Sequence, residues 1–255
     1  MTQPDPTQRF TDRVDAYTAG RPTYPDAIAH MLAKELSLPS HPTVADIGYG
    51  TGLSCLPFLH AGYRVIGVEP NDAMRTAGEK FLAAQGDFRS VAGKAEATTL
   101  DGASVDLVIA AQAAHWFDVP TARVEALRIL RRPPWAALIW NDRLSTGSKF
   151  AEDYEAFIRG YGVDYLKIRH RQGPDATVAP FFGDAFRETT FTNVTRLDFP
   201  TLIARVTSAS YMPQQGSPAY EPMIAELRRL FDESEQDGKV AMDYVTRVFF
   251  GALAS

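Results

Sequence analysis

Two hydrophobic rhythms alternate along the first 140 residues. Short apolar runs with β-branched residues occur at Thr43–Gly48, Arg64–Val68, Phe88–Ala92, Val105–Ala111 and Trp135–Trp140, and each reads as a strand. Val105–Ala111 is apolar nearly throughout, as expected of a strand covered on both faces. Between the runs lie longer segments with helical spacing. One runs from Thr51 to about Ala61, where Pro57 predicts a kink. Another runs from an Asn71 N-cap to about Gln85, and a third from about Pro120 to Leu130. Ahead of them Pro25 opens a helix that places Ile28, Met31, Leu32 and Leu36 on one face, and Phe10–Tyr17 is weakly helical. Strands alternating with helices imply right-handed crossovers and a parallel sheet.

The last hundred residues follow another pattern. Ala151 to about Gly160 reads as a helix, and Arg171–Val178 as a loop. Glu188–Phe199 alternates enough for one or two strands, and Val240–Phe250 for a final one. Between them an amphipathic helix carries Met223, Ile224, Leu227, Leu230 and Phe231. Residues of roughly 200–238 read as an insertion that caps the sheet edge. No linker-like stretch isolates them, so one domain is expected over 1–255.

Composition narrows the classes of partner. The 255 residues carry a net charge of −5 and no Lys/Arg-rich block, which argues against nucleic acid. A polar start and the lack of a long apolar run argue against a leader or a membrane span, making the cytoplasm the default location. The single Cys55 forbids an intramolecular disulfide and a cysteine-rich zinc site, and the histidines show no paired ligand spacing, so no metal is expected.

The chemistry-bearing residues cluster at strand ends. Asp46-Ile-Gly48-Tyr-Gly50-Thr-Gly52 sits where the first strand meets the next helix, and the glycines let the backbone turn sharply against a ligand. Glu69 ends the second strand, where a carboxylate can accept both hydroxyls of a ribose. The pair points to a nucleoside cofactor. A dinucleotide loop wants a third glycine where this chain has Cys55, and Asp46 would lie beside an anionic pyrophosphate. Asp46 suits the ammonium of a methionine moiety better, which favours S-adenosylmethionine (SAM) over NAD(P).

These segments resemble the class I SAM-dependent methyltransferases, particularly the bacterial branch near trans-aconitate methyltransferase. The resemblance covers nearly the whole chain. It rests on Phe10-Thr-Asp-Arg-Val with Tyr17, Arg21-Pro-Thr-Tyr24-Pro, the 46–52 loop, Gly67-Val-Glu69-Pro-Asn, Ala95-Glu96-Ala97, Gln112-Ala-Ala-His115-Trp116-Phe117, Trp140-Asn-Asp142 and Ser210-Tyr211-Met-Pro. It implies a Rossmann-like α/β fold: a seven-stranded, mostly parallel sheet with helices on both faces, an antiparallel last strand and a C-terminal helical cap. It divides the chain into an N-terminal lid and helix (1–40), a SAM-binding core (43–142) and the cap (200–238). The cofactor set it implies is Asp46, Gly48, Gly50, Gly52, Glu69, Pro70, Asn71, Met74, Ala95, Glu96 and Gln112, with Tyr17 and Arg21 from the lid. Trp116, Phe117 and Tyr211 are expected around a small-molecule acceptor.

Two departures stand out. Tyr49 stands where a small residue is usual, and would crowd the cofactor if its ring pointed inward. Arg132-Pro133-Pro134 replaces a Pro-Gly-Gly turn. The leading general base is His115, which follows the fourth strand; its structural alternative is packing beside Trp116. Arg143, Arg169, His170 and Arg205 are candidates for holding an acidic substrate. The rival functions are a SAM-fold binding protein without methyl transfer and an NAD(P) oxidoreductase.

Overall fold

The computed structural model describes residues 20–165, 173–183, 185–209 and 211–254. Tyr17, Arg169, His170, Ser210 and the 10–17 helix therefore lie outside the described residues. Among those described, β1 (Thr43–Ile47), β2 (Arg64–Val68), β3 (Phe88–Val91), β4 (Val105–Ala111), β5 (Leu130–Arg143), β6 (Arg187–Leu197) and β7 (Val240–Ala252) form one sheet in the order β3-β2-β1-β4-β5-β7-β6. Pairings from β3 to β5 are parallel, and β7 runs antiparallel to both β5 and β6. The expected seven-stranded sheet with an antiparallel last strand is what forms.

Strand alternation sends successive residues to opposite faces, each with its own core. Ala45, Ile47, Val108 and Ala110 face one side, packed with α4 (Val119–Ile129) and α6 (Val178–Phe182). Val44, Leu107, Ile109 and Ala111 face the other, against α1 (Ala27–Leu36), α2 (Leu56–His60) and Leu82 of α3 (Asp72–Leu82). A third apolar cluster joins α5 (Lys149–Tyr161), α7 (Phe199–Thr207) and α8 (Tyr220–Ser234) to Val240, Met242 and Tyr244 at the start of β7. Met223, Leu227, Leu230 and Phe231 are its α8 contribution, as their spacing predicts, with Ile224 partly buried beside them. No described helix is long and apolar enough to cross a membrane.

Three local expectations change. The helix expected from Thr51 starts only at Leu56, and Pro57 lies in its first turn instead of kinking it. Proline lacks the N–H that an interior position needs, so the helix begins where that loss is harmless. Residues ahead of it form tight turns, with Gly52 N donating to Tyr49 O and Cys55 N to Gly52 O. The prolines before the fifth strand form no turn: β5 starts at Leu130 and absorbs residues 131–134 as an irregularity, pairing Val105 with Leu130 but Leu107 with Trp135. The 171–178 loop gives way, where described, to a 3-10 turn at Pro174–Ala176 and to α6.

Candidate functional site

Parallel sheets bind ligands beyond their carboxyl ends, where strand order reverses. Here the reversal lies between β1 and β4. A cavity of about 590 Å³ opens at that point, within the roughly 300–1,000 Å³ typical of small-molecule sites. Segments following β1, β2, β3 and β4 supply its walls: Gly48 and Gly50, then Glu69, Pro70, Asn71 and Met74, then Lys94, Ala95 and Glu96, then Gln112 and Ala113. Trp116, Phe117, Asp118 and Thr121 complete it. A second cavity of about 70 Å³ adjoins it, sharing Gly48, Gly50 and Gln112. Its other walls include Arg21, Pro22, Tyr24, Asn141, Arg205 and Tyr244.

Each wall has a local cause. Gly48 takes φ +74°, and a Cβ there would meet Ala113 at 2.7 Å, so only glycine lets the loop pass the β4 exit. Glu69 is buried and turns both carboxylate oxygens onto the backbone: Gly50 N donates to Oε2 at 3.1 Å and Asn71 N to Oε1 at 2.9 Å. Burial raises its pKa, opposed by those two hydrogen bonds and by Arg75. Asn71 caps α3 as expected, its side chain accepting from Met74 N at 2.9 Å. Glu96 accepts the Asp118 N–H at 2.8 Å and so ties the post-β3 wall to the start of α4. Gln112 sits at φ +51°, a region costly for a side-chain-bearing residue, and donates from Nε2 to Asn141 O at 3.0 Å.

Several expected site residues stand apart. Asp46 lines neither cavity; fully buried, it accepts from Ser54 Oγ at 2.5 Å and from Cys55 Sγ at 3.3 Å. Its other oxygen, Oδ1, has no hydrogen-bond partner among the described residues. Burial is the main cause that lifts its pKa to about 6, with Glu69 adding to the rise. Gly52 serves packing, since a Cβ would lie 2.6 Å from Leu82 Cδ1. His115 lines neither cavity, and its ring lies 4.8 Å from that of Trp116. Tyr211 packs against Tyr165, also outside both cavities. Trp116 and Phe117, expected around the acceptor, share the large cavity with Glu69, Ala95 and Glu96, expected around the cofactor.

Tyr49 does not crowd the large cavity. Its ring lies between β2 and α3, edge-on to Phe88 at 5.4 Å, and its hydroxyl donates to Arg75 O at 3.1 Å beside Ser90 Oγ at 3.0 Å. Gly67 and Gly78 make the space: a Cβ on either would fall 2.6 or 2.5 Å from the ring. Lys94, Asp118, Thr121 and Tyr244 were not singled out from the sequence. The first three lie on loops and helix starts with no motif, and Tyr244 reads as an ordinary strand residue.

Comparison with known proteins agrees with this geometry. Residues 45–136 match the family described as "Methyltransferase domain". An uncharacterized methyltransferase of Mycobacterium tuberculosis is 36% identical over 135 residues, which is 52% of this chain and 52% of that protein. One of Schizosaccharomyces pombe is 35% identical over 138 residues, again 52% of each. The chain thus spans about half the length of the curated relatives it matches. Among solved structures, a candidate type II methyltransferase from Anaeromyxobacter dehalogenans aligns with TM-score 0.65 at 20% identity, over 91% of this chain and 98% of that one. An N-methyltransferase 2 of Haemonchus contortus aligns with TM-score 0.52 at 14% identity, over 98% of this chain and 58% of that one. These two structures speak for the fold. The domain match and the named relatives make residues 45–136 similar to a methyltransferase domain.

Proposed function

We propose that the protein is a SAM-dependent methyltransferase acting on a small anionic molecule. One observation carries the cofactor reading: the glycine loop and the Glu69 carboxylate meet, 3.1 Å apart, in the wall of a ligand-sized cavity at the strand-order reversal. A carboxylate has about four acceptor positions. Backbone N–H groups occupy one on each Glu69 oxygen, leaving one on each for a vicinal diol. The orphaned Asp46 Oδ1 beneath the loop adds negative potential on the methionine side. The Haemonchus contortus protein, of like fold, is in complex with phosphomonomethylethanolamine and S-adenosylhomocysteine.

The same geometry disfavours NAD(P). No residue of 51–56 lines the large cavity, and the N–H groups of Gly52 and Cys55 are spent in turns. A pyrophosphate there would lack the helix N-terminus it requires. The binding-protein alternative loses one of its two motives, since the Tyr49 ring is wedged under the loop; the other, a cap that blocks acceptor entry, is decided by turnover.

Arg205 supports the anionic acceptor. Its Nε donates to Tyr244 Oη at 3.2 Å, it lines the small cavity, and no carboxylate pairs with it among the described residues. Burial works against its charge, but the oxygens of Tyr244, Tyr154 and Tyr211 outweigh that and raise its pKa. Arg143 differs, since Glu155 already neutralises it. Arg21 is the second cation of this cavity. An anionic acceptor, in keeping with the trans-aconitate branch, answers the Arg205 guanidinium. The 200–238 segment, which includes most of α7 and all of α8, then serves as the acceptor-side cap.

SAM brings an already activated methyl group on a sulfonium. What remains for the chain is to hold the acceptor in line and exclude water. A carboxylate acceptor has no proton to remove, so no step requires His115. The test is a screen of small carboxylates, phenols and amines with SAM, read as S-adenosylhomocysteine (SAH) release. Turnover of carboxylates that falls in Arg205→Met supports the reading; turnover confined to neutral amines or phenols overturns the acceptor class.

A further inference from the structure

The segment that brings Arg21, Pro22 and Tyr24 to the small cavity belongs to no helix or strand, apart from the first turn ahead of α1. Its backbone is nonetheless pinned at one atom. Thr23 O accepts from Asn193 Nδ2 at 2.7 Å and from Asn141 Nδ2 at 3.2 Å. The two asparagines stand on β6 and β5, with β7 between them. From β7, the fully buried Thr246 donates its hydroxyl to Asn141 Oδ1 at 2.5 Å, and Asn193 Nδ2 reaches that same oxygen at 3.3 Å.

The hydrogen-bond pattern permits one arrangement. The Thr23 carbonyl can only accept, so the Asn141 amide nitrogen faces it and Oδ1 faces Thr246 and Asn193. The Thr246 hydroxyl donates to the oxygen that this orientation presents on the neighbouring strand and so supports it. The backbone carbonyl of Asn141 accepts from Gln112 Nε2, and Gln112 lines both cavities. One residue therefore joins the 21–24 strap to the residue between the two cavities. Asn193 and Thr246 touch neither cavity.

We propose that Asn193 and Thr246 are positioning residues. With Asn141 they form a clamp on the Thr23 carbonyl that holds the Arg21–Tyr24 strap against the small cavity and so sets affinity for the methionine end of the cofactor. The ligand part of this inference rests on the function proposed above. The clamp acts through donors and not through volume, and that separates it from ordinary packing. Asn193→Asp keeps the shape of the side chain but sets a carboxylate oxygen against two carbonyl oxygens. Asn193→Ala removes the donors and the volume without adding repulsion. Asn193 is only half-buried, so both variants are expected to fold.

The experiment measures SAH dissociation constants, ligand-free melting temperatures, and hydrogen exchange of the peptide covering residues 20–28, in the wild type and both variants. Expected are weaker SAH binding and faster exchange in the order wild type, Asn193→Ala, Asn193→Asp. The last should lose at least fivefold in affinity with exchange in β5 and β7 unchanged. A packing role reverses that order, because the isosteric Asp does less harm than Ala; the reversed order, or equal affinities in all three proteins, overturns the clamp. If the wild type itself fails to bind SAH, the proposed function falls, and the order of the exchange rates alone then decides the clamp.

Discussion

Asp46→Asn tests the electrostatics beneath the glycine loop. The Asp46 carboxylate is fully buried, and its pKa is raised from 3.8 to about 6. The folded state therefore holds its proton more tightly than the unfolded chain does. Stability from this group is fully present below pH 3.8 and is lost as pH rises toward and through 6. At about 1.4 kcal/mol per pH unit, the interval corresponds to ~3 kcal/mol. Asn removes the titration but adds two amide hydrogens where Oδ1 has no partner, a constant cost of about 1–3 kcal/mol. The absolute change at any one pH therefore mixes two effects, whereas its pH dependence isolates the charge. Urea unfolding at several pH values, followed by circular dichroism, measures the difference between variant and wild type. That difference should move in favour of Asn by ~3 kcal/mol from below pH 4 to above pH 7. The wild type should also bind SAH more tightly as pH rises through 6, when Asp46 ionises beneath the glycine loop and adds negative potential toward the ligand ammonium; the variant should not. A stability difference that is flat with pH, or that moves the other way, refutes the reasoning.

Other expectations follow from the same geometry. Glu69→Ala should weaken SAH binding by roughly 1–3 kcal/mol, the scale for losing a charged hydrogen-bond partner, and an unchanged dissociation constant would remove Glu69 from the ribose site. Tyr49→Phe should cost about 1–2 kcal/mol in urea unfolding through the lost hydroxyl contacts, with Gly78→Ala costing more because its methyl meets the ring; a stabilised Gly78→Ala protein would contradict the wedge. Once an acceptor is found, Arg205→Met should raise its KM at least tenfold, equivalent to about 1.4 kcal/mol, and by more than it weakens SAH. His115→Ala should keep the shape of the pH–rate profile; loss of a basic limb would restore His115 as the general base.

The parallel half of the sheet was legible because β1 to β4 are short runs among helical stretches, and β4 is apolar apart from Asp106. Loop geometry was legible where it depends on residue type at a strand end, as with the tight turn at Gly48, the position of Glu69 and the Asn71 cap. Burial was not legible. Asp46 has the identity of a ligand-facing carboxylate, yet Ser54 and Cys55 hold it beneath the loop. Gly52 looked like a ligand-facing glycine, but its neighbour is Leu82, thirty positions on. The orientation of Tyr49 was undecidable from the chain, because the two glycines that admit its ring belong to other elements. Asn193 carried no signal, since its partner is a main-chain carbonyl 170 residues away.

The central claim is that the cavity at the strand-order reversal takes an adenosyl sulfur compound and not a dinucleotide. Calorimetric titration of the purified protein with SAH and, separately, with NADH tests it most directly. The account predicts saturable SAH binding that Glu69→Ala weakens, and no heat from NADH. Binding of NADH with no response to SAH would contradict it.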